Sequence, residues 1–181
     1  MLKMFKKNEK KNKGFTLVEL IIVIAILAVL VGILAPQYVK YVEKSRKSAD
    51  ANNIDNVVQA IMVASADDDY TLPAGTYTVT LSENGLVVED TTKTGALTAK
   101  GTEGVKTGAL TEALIEYMGE TSATYAANKA TYSNTKLKSK KWGADESNPT
   151  SIVATATVSS TGSVSVAYSP DNFAEYVGVK Q

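Results

Sequence analysis

The sequence predicts an α+β fold in which one long N-terminal helix precedes a small antiparallel sheet. An apolar run comes first, since the sixteen residues from Leu20 to Ala35 include no polar side chain. Apolar residues then recur at three- and four-residue spacing as far as Ala66, which is the helical period. Two stretches of alternating apolar and polar residues follow, each doubling back at a turn sequence. A helix followed by hairpins indicates the α+β class.

The apolar run is long enough to cross a bilayer. Phe15 to Ala35 is 21 residues, and at about 1.5 Å per residue it spans roughly 30 Å. The six lysines that precede it favour a cytoplasmic N-terminus; they are Lys3, Lys6, Lys7, Lys10, Lys11 and Lys13. Four basic residues also follow the run, so the charge bias is modest; these are Lys40, Lys44, Arg46 and Lys47.

Glu19 lies near the start of this run, and it bears on how the run is interpreted. A secretory signal peptide has an apolar region of roughly 7–15 residues and a small-residue cleavage site, whereas this run is longer and ends in Ala35-Pro36. An ordinary membrane anchor explains the length but not the carboxylate, which is costly in lipid and indicates a function. The simplest structural explanation is that Glu19 reaches the headgroups from the helix end.

The segment Gly14-Phe15-Thr16-Leu17-Val18-Glu19-Leu20 resembles the cleavage and methylation motif of type IV pilins and type II secretion pseudopilins. The resemblance covers about residues 1–65 and implies a pilin fold. It also implies a prepilin peptidase that cuts between Gly14 and Phe15 and N-methylates Phe15. In this family the carboxylate at the place of Glu19 neutralises the N-terminal amine of a neighbouring subunit.

Elementary electrostatics supports the same role for Glu19. Cleavage after Gly14 creates a positive amine four residues before Glu19. A positive charge at a helix N-terminus opposes the macrodipole, and an unpaired buried charge is costly. A carboxylate from the next subunit removes both penalties and sets the register between subunits.

The resemblance divides the chain into four segments. Residues 1–14 are a cleaved cytoplasmic leader, 15–36 the hydrophobic transmembrane and filament-core half of the helix, 37–66 its amphipathic half, and 67–181 a globular head. Gly32 and Pro36 lie near the end of the span, where proline weakens a helix. The resemblance implies that the stretch from about Ala28 to Pro36 unwinds locally on assembly.

The amphipathic half of the helix is expected to pack under the sheet. One face carries Ile54, Val57, Val58, Ile61 and Met62, and we expect Lys44, Lys47, Asp50 and Asp55 on the other faces. Asp67-Asp68-Asp69 opposes the helix dipole and so ends the helix. Because these acids lack the alternating spacing of a calcium loop, we favour a solvated helix stop over a calcium site.

The head is predicted to contain two hairpins, one turning at Asn84-Gly85 and one at Ser160-Thr161-Gly162. A short helix from Leu110 to Met118 and a strand within Thr131 to Leu137 are expected between them. Four lysines then precede Trp142; they are Lys136, Lys138, Lys140 and Lys141. We expect solvated lysines with Trp142 anchoring the loop, rather than a patch for DNA, anionic glycans or a neighbouring subunit.

Composition excludes several classes of function. The chain has no cysteine and no histidine, which rules out disulfides, thiol nucleophiles and histidine-dependent catalysis or zinc sites. We therefore predict no enzyme activity, no cofactor and no metal. After the leader the chain has 13 basic and 18 acidic residues, which argues against nucleic acid as a specific partner.

The lack of cysteine departs from the many pilins that close their C-terminal region with a disulfide, and it fits cysteine-poor Gram-positive pilins. We therefore expect packing to hold the C-terminal segment, through Phe173, Tyr176 and Val177.

The function that follows is a structural subunit of an extracellular type IV pilus, used in adhesion, twitching motility or biofilm formation. Its implied partners are copies of itself in a helical filament, the prepilin peptidase and N-methylase, and the assembly platform with its ATPase. It would lie in the membrane before assembly and on the cell surface afterwards. The alternatives are a pseudopilin of a type II secretion or DNA-uptake system and, less favoured, a membrane-anchored binding or enzyme domain.

Overall fold

A computed structural model describes residues 14–67, 72–98, 108–118, 124–142, 151–173 and 175–177. The fold is the predicted α+β, pilin-like arrangement. Its helices are α1 (Leu17–Ala66) and α2 (Ala109–Met118). Its strands are β1 (Gly75–Ser82), β2 (Gly85–Asp90), β3 (Thr124–Ala126), β4 (Lys129–Tyr132), β5 (Ser151–Val158) and β6 (Val164–Ser169). The chain forms two compact units, Met1–Tyr41 and Val42–Gln181, which are described separately.

The first unit contains the apolar part of α1. This helix is long and apolar enough to cross a membrane, with a mean hydropathy of 3.2 in its most apolar window and none of that window buried. Its large apolar side chains are therefore exposed, including Leu17 at 73% and Val31 at 61%. Pro36 lies inside the helix. The unwinding expected on assembly concerns another state and stays a prediction.

The second unit packs the amphipathic part of α1 on a six-stranded antiparallel sheet. The strand order is β3-β4-β2-β1-β5-β6. The alternating residues of β1 and β5 point one side of each strand into a core that also holds Ile54, Val57 and Ile61 of α1. The predicted apolar face of the helix is confirmed, since these residues are fully buried and Met62 is partly buried.

Both predicted hairpins are confirmed. Strands β1 and β2 pair from Tyr77↔Asp90 to Ser82↔Gly85, so Glu83 and Asn84 form the turn and Gly85 begins β2. Gly85 has a φ of 136°, and a Cβ there would lie 2.7 Å from the Tyr132 carbonyl oxygen. The glycine is thus required beside β4. The β5–β6 turn contains Gly162 with a φ of 79°.

The elements between the hairpins are partly as predicted. Helix α2 is confirmed and buries Leu110 and Leu114. The strand expected within Thr131 to Leu137 is only partly right: β4 begins earlier and ends at Tyr132, because its pairing with β2 runs from Glu89↔Lys129 to Leu86↔Tyr132. Helix α1 ends just before Asp67, as predicted. Asp68 and Asp69 lie outside the described residues, so the choice between a solvated helix stop and a calcium site stays a prediction.

A tyrosine pair in this sheet is expected to make the free energy of unfolding decrease at alkaline pH. The hydroxyl groups of Tyr125 and Tyr132 lie 2.9 Å apart, and Tyr132 is fully buried. Burial raises the pKa of both phenols, most strongly for Tyr132. The folded state thus holds protons that the unfolded state releases near pH 10, so the stabilisation is complete below about pH 10 and declines as the pH rises above it. Chemical denaturation between pH 8 and 11 should show this decline, and Tyr132→Phe should make it shallower; an unchanged slope in that variant would contradict the assignment.

Candidate assembly site

Glu19 caps the start of its own helix. Leu17 is the first helical residue, which makes Thr16 the N-cap and Glu19 the third residue of the first turn. The backbone N–H and hydroxyl of Thr16 donate to Glu19 Oε2 at 2.8 and 2.9 Å, and the Glu19 N–H donates to Thr16 Oγ1 at 3.2 Å. This reciprocal pattern is a capping box.

The capping box was missed at the level of sequence, although its signature is present. Thr-x-x-Glu directly before an apolar run is the pattern expected at a capped helix start. The interpretations of Glu19 above give it a partner in another subunit or a place at the headgroups, and neither involves Thr16. In the structure the carboxylate is exposed and both bonds that it accepts go to Oε2. Since a carboxylate has about four acceptor positions, the cap leaves Glu19 able to accept a further donor.

The other predicted site residues occupy two places in the chain. Gly14 and Phe15 come directly before the capped helix start; a Cβ at Gly14 would meet no atom within 4 Å, and Phe15 is 91% exposed. The peptide bond between them is thus open to an enzyme. Gly32 and Pro36 lie in the interior of α1. The structure therefore groups Gly14, Phe15 and Glu19 with Thr16 and leaves the two helix-flexibility residues apart from them.

A second polar constellation lies in the other unit and corrects a prediction. Asp50 was expected on a solvent-facing side of the helix, but it is fully buried. Its Oδ1 accepts from the Lys138 N–H at 2.8 Å, and its Oδ2 accepts from the Ser139 N–H at 2.8 Å and from Trp142 Nε1 at 3.1 Å. The prediction was wrong because it placed Asp50 by its polarity. Asp50 lies four residues before Ile54 and seven before Val57, so the helical period puts it on the buried face, where a distant loop supplies three N–H donors. We call this arrangement the Asp50 clasp.

Aromatic rings complete the clasp. Trp142 is buried with its ring centroid 5.0 Å from that of Phe173 and 5.2 Å from that of Tyr176. Lys47 Nζ lies 5.0 Å from the Trp142 ring centroid, a cation–π distance. The predicted anchoring by Trp142 is confirmed. Phe173 and Val177 are buried, so packing holds the described part of the C-terminal segment, as expected.

The loop that carries Trp142 also exposes its lysines. Lys136, Lys138 and Lys140 are exposed, while Ser139 between them is buried and donates to Glu43 Oε1 at 2.5 Å.

Across the residues that the structure describes, no three acidic, histidine or cysteine side chains gather in a way that could hold a metal ion.

The fold and the capped acid define a class of protein: a head on a helix that can cross a membrane, with a single carboxylate at the start of that helix. A family model described as the prokaryotic N-terminal methylation motif matches residues 10–35 of this chain. The motif marks the chain as a prepilin of the type IV pilin or pseudopilin kind, and it implies processing by a prepilin peptidase in the context of pilus assembly. With the apolar helix, it fits a membrane-anchored precursor. Comparisons with curated proteins and with solved structures found no match.

Proposed function

We propose that this chain is a structural subunit of an extracellular type IV pilus, assembled after the bond between Gly14 and Phe15 is cut. The observation that carries the proposal is the position of Glu19. Its carboxylate lies within the matched motif, at the capped and exposed start of an apolar helix. The pilus would then serve adhesion, twitching motility or biofilm formation.

The proposed assembly step pairs two charges. Removal of the leader, residues 1–14, leaves the amine of Phe15 as the new N-terminus, and the Glu19 of a neighbouring subunit accepts from it. Both charges leave water in a filament core, where a carboxylate that accepts only from Thr16 carries an uncompensated charge. The pair removes that penalty and holds adjacent helices in one register.

The apolar side chains of residues 15–36 supply the attraction between subunits. They are exposed along the helix, with Ile26 at 55% and Leu34 at 58%. Lipid covers them in the precursor, and other copies of the same helix cover them in a filament. Gly32 and Pro36 would let the helix unwind locally when lipid is exchanged for neighbours. The amphipathic residues 37–66 and the head, 67–181, would form the outer part of the filament.

A pseudopilin of a secretion or DNA-uptake system is the second candidate, because the matched motif is common to both kinds of prepilin. It would undergo the same cleavage and the same Glu19 pairing. Long surface filaments that contain this chain would favour the pilin, whereas processed chain confined to the envelope would favour the pseudopilin. Enzyme activity is not part of either proposal, since the motif marks structural proteins.

Mass spectrometry of sheared surface filaments tests the proposal. We expect the N-terminal peptide to begin at Phe15 and to carry one methyl group on its amine. Filaments or membranes that contain only chain beginning at Met1 would overturn the proposal.

Gly14→Leu provides the matched test of cleavage. A side chain at Gly14 would meet no neighbouring atom, so loss of processing in this variant cannot be ascribed to misfolding. We expect unprocessed precursor to accumulate in the membrane. Gly32→Leu is the control, because its Cβ also meets no atom within 4 Å and it lies far from the cleaved bond; it should be cut normally. Equal processing of the two variants would contradict the cleavage site.

A further inference from the structure

The Asp50 clasp gathers basic side chains from two distant parts of the sequence. It holds the backbone of residues 138–142 against α1 at Asp50, while Ser139 donates to Glu43, which lies two turns before Asp50 on the same helix face. Arg46 and Lys47 lie on either side of the line from Glu43 to Asp50, so the lysines of this loop lie beside these two residues. We call the set the basic surface; it consists of Arg46, Lys47, Lys136, Lys138 and Lys140.

Nearby acids cancel only part of this charge. Glu43 Oε2 lies 3.6 Å from Arg46 Nη1, and Glu83 Oε1 lies 2.9 Å from Lys140 Nζ. The Asp50 carboxylate is buried and directed at backbone and indole donors. Within the described part of the chain, Lys47, Lys136 and Lys138 have no ion-pair partner. The chain after the leader is acidic as a whole, so this surface is a local exception with a sign opposite to its surroundings.

The basic surface is tied close to the membrane by the covalent chain. Ala35 ends the apolar run, and Arg46 follows eleven residues later. Eleven residues reach at most about 40 Å even when fully extended. A surface tethered this closely meets lipid headgroups at a high effective concentration, whatever path the chain takes.

The basic residues that follow the apolar run act against the orientation of the membrane span. Lysine and arginine close to the far end of a membrane span weaken the charge bias that sets its orientation. Lys44, Arg46 and Lys47 nevertheless follow the run, and the fold adds three loop lysines beside Arg46 and Lys47. A binding role on the far side of the membrane accounts for keeping them there.

We propose that the basic surface binds the anionic phospholipid headgroups of the bilayer in which the unassembled chain is anchored. Lysine ammonium groups suit phosphate as point charges, and polybasic segments gain about fivefold in binding for each residue near an anionic surface. A polynucleotide fits less well, because Trp142, the aromatic residue of this loop, is buried and cannot stack on bases. The inference needs the anchored precursor but not the filament, so it stands or falls separately from the pilus.

The chain carries its own reporter for a test. Trp142 is its single tryptophan, and it lies beneath Lys47 of the basic surface. The full chain is reconstituted in vesicles that contain a trace of dansyl-labelled lipid, and energy transfer from Trp142 to dansyl measures the distance from the head to the bilayer. We expect more transfer in phosphatidylcholine–phosphatidylglycerol vesicles than in phosphatidylcholine vesicles. The difference should vanish at high salt, where the Debye length falls to about 3 Å.

Two charge-matched variants locate the effect. Lys136→Gln with Lys138→Gln should lower the ratio of docked to undocked heads by about 25-fold. Lys93→Gln with Lys129→Gln is the control. These two residues lie by the end of β2 that is away from the Ser82–Gly85 turn, whereas the chain leading to the loop passes beside that turn. The control variant should behave as the parent. Thermal unfolding confirms that each variant is folded, as expected for exposed lysines.

Three outcomes would overturn the proposal. These are equal transfer in neutral and anionic vesicles, an equal loss in both variant pairs, and tighter binding of added DNA or anionic polysaccharide to the same two lysines in phosphatidylcholine vesicles. The last outcome would assign the basic surface to a soluble polyanion instead of lipid.

Discussion

Replacing Glu19 with valine will abolish filament assembly while membrane insertion and leader cleavage continue. Valine suits a bilayer better than a carboxylate, so anchoring should not suffer. The bond between Gly14 and Phe15 stays exposed, so cutting should not suffer either. The amine of Phe15 then has no acceptor in the next subunit, and burying it unpaired is prohibitive. We expect no sheared filaments, while processed chain accumulates in the membrane.

Glu19→Gln separates the two roles that the structure gives to this residue. Glutamine can occupy the third position of a capping box and accept from Thr16, but it carries no charge. If charge pairing drives assembly, the glutamine variant will fail as the valine variant does. If Glu19 acts through the cap on its own helix, glutamine will restore filaments and Thr16→Val will remove them. Normal filaments from Glu19→Val would show that both contacts are dispensable.

Replacing Asp50 with alanine will cost the head about 3 kcal/mol or more of unfolding free energy. The change leaves the N–H groups of Lys138, Ser139 and Trp142 without their acceptor. Each buried donor left unsatisfied costs about 1–3 kcal/mol. The loop and the C-terminal aromatic residues should loosen together, because both pack on Trp142. Urea unfolding of the full chain in detergent, followed by Trp142 fluorescence, measures the loss.

Two further variants make the Asp50 result specific. Asp50→Asn keeps the shape and one acceptor oxygen but turns an amide NH₂ toward N–H donors, so it should destabilise the head by less than alanine does. Asp55→Ala is the control on the same helix, because Asp55 is only half-buried; it should cost less than about 1 kcal/mol. A loss no greater for Asp50→Ala than for Asp55→Ala would show that the clasp does not hold the head together.

Local patterns were sufficient for much of the fold. The apolar run, the helical spacing of Ile54, Val57 and Ile61, and the two turn sequences each act over a few neighbouring residues, and each predicted its element. The bounds of strand β4 could not be predicted as well, because they depend on its pairing with β2 rather than on its own residues. The first hairpin was located correctly, although its turn is Glu83-Asn84 rather than Asn84-Gly85, and the need for Gly85 comes from the approach of Tyr132.

The candidate site divides in the same way. Gly14, Phe15 and Glu19 lie within six consecutive residues, so their order and spacing can be recognised directly in the sequence. The cap from Thr16 to Glu19 is also visible in the sequence as Thr-x-x-Glu directly before an apolar run. It did not require tertiary information.

The apolar span, the basic residues before it, the methylation motif and the order of helix and hairpins could all be predicted, because they depend on neighbouring residues and on hydrophobic period. The helical spacing also places Asp50 on the face of Ile54 and Val57, but the tertiary structure was needed to show that it binds a loop some ninety residues away and that Lys47 lies over Trp142. A carboxylate can stay on a buried face when donors reach it from elsewhere in the chain. Polarity read along one helix cannot show where those donors come from.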